Sequence, residues 1–113
     1  MKVTIEELES YLKHTYKDPK HEQSLFMKLV EEMGELAEVL NKKAGRKKTD
    51  ETDLQAQLGN EIADVIHYAV AIAAINDLDL NEIILSKDKR AAAKYGHEVN
   101  LEEFIGKAIS EGE

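Results

Sequence analysis

With 113 residues, 42% hydrophobic and 34% charged, the chain is long enough for one packed domain and too apolar to be disordered. Its 15 basic and 23 acidic residues leave a net charge of −8, which repels nucleic-acid backbones and sets DNA and RNA aside as partners. The sequence has no Cys and no Trp, which excludes disulfides and thiolate metal sites and leaves an aliphatic, alanine-rich core.

Helices follow one another along the chain. Thr4 and Glu7 form a capping box that opens a helix through about Tyr16, and Pro19 punctuates the turn after it. A second helix is expected from about Glu22 to Ala44, stopped by Gly45. The polar segment Gly45–Asp53 reads as a mobile connection. A third helix covers about Leu54 to Ile75, and Asn81 caps a fourth that ends near Tyr95–Gly96. Asn100 with Glu103 is a second capping box, opening a short terminal helix. The class is all-α, a four- to five-helix bundle in a single domain over residues 1–113, without internal repeats. The opening MKVTIEELESY lacks the apolar stretch of a signal peptide, and the nearly uncharged run Val65–Ile75 is too short to cross a bilayer. The expectation is a cytoplasmic protein with no membrane partner.

Between Ile62 and Ile75 the third helix carries only Asp64, His67 and Tyr68 as titratable side chains. A helix apolar on nearly every side must be covered on every side, and a chain this short has trouble surrounding one by itself. A homodimer, or a dimer-of-dimers tetramer, follows as an expectation.

Carboxylates interrupt that pattern at regular places. At about 100° per residue, Leu25, Phe26, Leu29, Val30, Met33, Leu36, Ala37, Val39 and Leu40 share one broad arc of the second helix. Glu32 falls inside it and Glu35 on its border, while Glu31 and Glu38 point further out. On the third helix Glu61 lies between the directions of Tyr68 and Ile72, and Asp64 between those of Ala71 and Ile75. A lone Glu-x-x-Glu is common on solvated helix faces. Four acids facing a core are costly unless neutralised, and the third helix has no Lys or Arg to do it. A hard divalent cation answers the need: Mg²⁺, with Mn²⁺ as a substitute, takes oxygen ligands and completes its shell with water and substrate phosphates.

Two stretches of the sequence resemble the MazG-like nucleotide pyrophosphohydrolases of the all-α NTP pyrophosphatase superfamily. Leu29-Val30-Glu31-Glu32-Met33-Gly34-Glu35-Leu36-Ala37-Glu38 is similar to that family's E-E-x-x-E helix, and Gly59-Asn60-Glu61-Ile62-Ala63-Asp64-Val65-Ile66-His67-Tyr68 to its E-x-x-D helix. The similarity covers roughly residues 20 to 96. It implies hydrolysis of a nucleoside triphosphate between the α and β phosphates, giving a nucleoside monophosphate and pyrophosphate. Glu32, Glu35, Glu61 and Asp64 are then the Mg²⁺ ligands, and Glu31 is an outer carboxylate that orients or deprotonates the attacking water. The resemblance also places Tyr68 at the nucleoside and Lys87, Arg90 and Lys94 of the fourth helix at phosphates. Here the chain departs from the family, reading Arg90-Ala91-Ala92-Ala93 where many relatives carry an Asn.

Removal of non-standard or surplus nucleotides is the leading functional expectation, with a phosphoribosyl-ATP pyrophosphohydrolase-like activity beside it. A non-catalytic helical dimer that senses metal or nucleotide is an alternative from another class. A dinuclear iron or manganese bundle is a third, although such sites want two Glu-x-x-His pairs and the chain offers only Asp64-x-x-His67. His67 itself reads as a packed or interface histidine. The basic stretch Lys42, Lys43, Arg46, Lys47, Lys48 reads as a solvated connection before a phosphate-side lid.

Overall fold

The computed structural model describes residues 1–45 and 53–112, and among them every regular element is helical. The helices are α1 (Ile5–Tyr16), α2 (Glu22–Lys43), α3 (Leu54–Ile75), α4 (Leu80–Tyr95) and α5 (Leu101–Ser110). They form two compact units, Met1–Leu78 and Asp79–Glu113.

Local chemistry sets the helix ends. Thr4 and Asn100 make complete capping boxes with Glu7 and Glu103, each satisfying two otherwise orphaned amides. Asp53 caps α3 by accepting from the Ala56 amide at 3.0 Å. Pro19 begins a short 3₁₀ turn, Pro19–His21, which feeds directly into α2. The α4 cap corrects the sequence expectation. Asp79, not Asn81, accepts from the Glu82 amide at 3.2 Å, so the helix begins at Leu80. The left-handed Gly96 ends α4 at φ 68°, a conformation that costs glycine little. Residues 46–52 of the expected mobile connection, with Arg46, Lys47 and Lys48, lie outside the described residues.

In the first unit α3 is the central helix, packed by α2 along one side and by α1 along another. Leu25, Leu29, Glu32, Leu36 and Val39 recur at coiled-coil spacing on α2 and are buried or half-buried. Leu54, Leu58, Glu61, Val65, Tyr68, Ile72 and Ile75 do the same on α3. Hydrogen bonds from Asn76 to Glu22 (2.8 Å) and from Lys43 to Gln55 (2.9 Å) tie the ends of this antiparallel pair. α1 covers the small-residue face of α3 that includes Ala71 and Ala74. Leu12 and Ile75 are both fully buried, and the Tyr16 hydroxyl meets His67 Nε2 at 2.8 Å.

The broad apolar arc of α2 therefore divides. One half packs on α3, while Phe26 (49% exposed), Val30 (47%), Met33 (53%) and Leu40 (47%) face outward within the chain. Ile62 and Ile66 of α3 are likewise exposed. Helical geometry puts both stripes on the side of the α2–α3 pair away from Glu35 and Asp64. By length and composition α3 would suffice to cross a membrane, which the shorter run Val65–Ile75 does not suggest. Its C-terminal half is instead core, with Val70, Ala71, Ala73, Ala74 and Ile75 buried.

In the second unit, Asp88 of α4 accepts from the Leu101 amide at the start of α5 at 2.7 Å. Ala92 is buried there.

Candidate metal centre

The carboxylates lie in the two apolar rows that join α2 to α3. Glu32 interrupts Leu25-Leu29-x-Leu36-Val39, and Glu61 interrupts Leu54-Leu58-x-Val65-Tyr68. Each is half-buried, and Oε2 of each is buried without a hydrogen-bond partner. Asp64 lies three residues beyond Glu61 on the exposed margin. One carboxylate oxygen from each of Glu32, Glu61 and Asp64 lies within 4.8 Å of the other two.

Crowding shows in their acidity. Burial, the hydrogen bond with Glu61 and the charges of Glu35 and Asp64 push Glu32 up to about 7. Burial also raises Glu61, against a hydrogen bond from Glu32 that favours its ionised form. Without a cation the pair holds a proton that isolated carboxylates would release. Glu35 is exposed and lies outside the closest triad, although its charge acts on both half-buried acids. Three of the four expected ligands thus converge, with the fourth beside them.

These residues fit a divalent cation. Orphaned carboxylate oxygens, mutual spacing and an all-oxygen donor set are what a hard ion requires. His67 stands outside the triad: Tyr16 engages its Nε2, and its ring packs edge-on against Tyr68 at 4.9 Å. It is a packed histidine, as expected, and the Glu-x-x-His pairs of a dinuclear iron bundle are not formed among the described residues.

The other expected site residues are more dispersed. Tyr68 is half-buried, one turn beyond Asp64. Glu31 is exposed, and Nζ of Lys28 approaches its Oε2 at 3.5 Å. Sequence reasoning passed over Lys28, although its place four residues before Glu32 was a readable signal. Lys87, Arg90 and Lys94 belong to the second unit. There Arg90 donates to Ser86 Oγ at 2.8 Å, and Lys94 lies over the Tyr95 ring at 5.4 Å.

Comparison with known proteins bears on the fold and the family. Residues 20–95 match the family model of the MazG nucleotide pyrophosphohydrolase domain. The fold is similar to the crystal structure of iMazG from Vibrio DAT 722, with 30% identity and a TM-score of 0.64 over 82% of this chain and 98% of that one. No curated protein matches the sequence.

Proposed function

The chain belongs to the MazG nucleotide pyrophosphohydrolase family, and from that premise we propose that it hydrolyses nucleoside triphosphates between the α and β phosphates with Mg²⁺. The observation that carries this reading is the convergence of Glu32, Glu61 and Asp64, with two buried oxygens lacking any partner. In the proposal these three residues and Glu35 hold the metal. When bound, it supplies charge neutralisation for the phosphates and acidifies water near them.

The chain's own residues do the remaining work. Phosphoryl transfer asks mainly for positioning and charge complementarity. The apolar rows on both sides of Glu32 and Glu61 fix those carboxylates and limit water access from within the helix pair. Glu31, outside the triad on the same helix, orients the attacking water and accepts its proton. Tyr68, one turn past Asp64, borders the nucleoside. Removal of non-standard or surplus nucleotides is the role proposed for this chemistry.

A homodimer is part of the same proposal, with a dimer of dimers as its larger form. Phe26, Val30, Met33, Ala37 and Leu40 repeat at coiled-coil spacing on an uncovered face. Ile62 and Ile66 extend that face, and a second copy of the pair is its self-complementary cover.

The test is pyrophosphate release from all standard ribo- and deoxyribonucleoside triphosphates with Mg²⁺, wild type beside Glu61→Gln. Release by the wild type that the variant abolishes supports the reading and ranks the substrates. Nucleotide binding without turnover would instead favour a sensing role.

A further inference from the structure

The carboxylate centre has an electrostatic problem that the cation alone does not solve. The chain is net acidic at −8, and a nucleoside triphosphate remains anionic after one divalent cation has bound. Charge-assisted contacts from the protein are needed beside the metal. On the two helices that carry the acids, the sequence restricts where they can come from. Between residues 57 and 68, four positions either way from Glu61 and Asp64, there is no Lys or Arg. Around Glu32 and Glu35, over residues 28–39, Lys28 is the single one.

Lys28 is also on the appropriate face. On α2 it lies one turn before Glu32, displaced toward the same side as Glu35 and away from the outward apolar stripe. Its side chain is half exposed, and its ion pair with Glu31 at 3.5 Å is between two exposed groups. Such pairs are weak and readily exchanged. Other lysines of the first unit are engaged far along the helices, Lys13 with Asp77 at 3.0 Å and Lys43 with Gln55 at 2.9 Å.

We infer that Lys28 is a substrate-binding residue for the triphosphate, its ammonium group moving from Glu31 to an oxygen of the departing β,γ-diphosphate. This rests on the pyrophosphohydrolase reading above. The exchange has a second consequence: releasing Lys28 leaves Glu31 free to face the attacking water, so substrate arrival itself prepares that carboxylate.

Calorimetric titration in Mg²⁺ tests this with the non-hydrolysable α,β-imido analogue of a triphosphate that the wild type hydrolyses. The corresponding nucleoside monophosphate, which lacks the β and γ phosphates, is titrated beside it. Lys28→Gln is expected to weaken the analogue about tenfold, the scale of one charge-assisted hydrogen bond. Monophosphate binding stays unchanged, and Lys28→Arg restores most of the loss. In turnover, KM for the triphosphate rises by a similar factor, and the salt dependence of KM becomes shallower. Wild-type-like analogue binding by Lys28→Gln overturns the inference, as does an equal loss for analogue and monophosphate. If the wild type neither turns over nor binds any triphosphate, the pyrophosphohydrolase reading fails and takes this inference with it. Turnover by the wild type with an indifferent Lys28→Gln overturns this inference alone.

Discussion

Glu32 of α2 and Glu61 of α3 face one another inside a row of aliphatic side chains, each with an Oε2 that no hydrogen bond satisfies. Leucine at either place would extend the apolar seam and stabilise the helix pair. Two acids there are a cost to folding that a bound cation would offset. The proposed metal centre and the packing of α2 on α3 would therefore be coupled, and removing one carboxylate would act on both. Glu32→Gln should raise the melting temperature in EDTA near pH 8 by relieving repulsion among the acids. The same change should cut pyrophosphate release by about 100-fold or more, the effect of losing several kcal/mol of charge stabilisation. Scanning calorimetry and a pyrophosphate assay on one preparation check both. A variant less stable than wild type in EDTA would contradict the idea of stored repulsion.

The raised pKa of Glu32 fixes the sign of a pH effect. Its folded value is about 7 against an ordinary 4.5, so between those limits the folded chain binds more proton than the unfolded one. This contribution to stability is present below about pH 4.5 and is lost as the pH rises through about 7. The difference in melting temperature between wild type and Glu32→Gln in EDTA should widen from about pH 5 to about pH 8. With Mg²⁺ present the trend reverses for the wild type, because binding must displace that proton and affinity falls on acidification. A pH-independent difference would remove the shared proton from the account.

The helices were legible because their ends are chemical. Thr4 with Glu7 and Asn100 with Glu103 each write a capping box into four residues, and α3 begins at Leu54 and ends at Ile75 as its apolar pattern required. The start of α4 was less so, since Asp79 and Asn81 are both good caps and only the amide each can reach decides between them. The acids of the centre were legible as polar residues in apolar rows. The exposed position of Glu35 was not, because a helical wheel gives direction without saying how closely the neighbouring helix approaches. The same limit hid the division of the α2 arc: sequence marks Phe26 and Leu25 alike as apolar, and packing on α3 separates them.

The contact between Tyr16 and His67 makes a separable prediction. It joins α1, outside residues 20–95, to the central helix. Tyr16→Phe keeps the ring and its edge-on contact with His67 while deleting the hydroxyl. The expected loss is about 1 kcal/mol, read as a lower urea midpoint with an unchanged slope. Leu12→Ala, at the fully buried centre of the same helix, should cost more, about 2–5 kcal/mol. Equal effects would mean that the hydrogen bond carries more of the α1 docking than its aliphatic packing does.

The uncovered stripe gives the last prediction. Val30 and Met33 stand in the middle of the outward face of α2, on the side away from Glu35. If a second copy covers them, Val30→Asp buries a charge against apolar partners in the dimer but leaves it hydrated in the monomer. The penalty therefore falls on association alone. The variant should sediment as a monomer at micromolar concentration, where the wild type sediments as a dimer or tetramer. Its helix content should be retained, because Val30 makes little of the intrachain core. Loss of pyrophosphate release on dissociation would mean that pairing holds α2 and α3 at the separation the carboxylates need. Full activity in a monomer would make the metal centre independent of the second copy. A wild type that is itself monomeric would remove the dimer from the proposal while leaving the site chemistry intact.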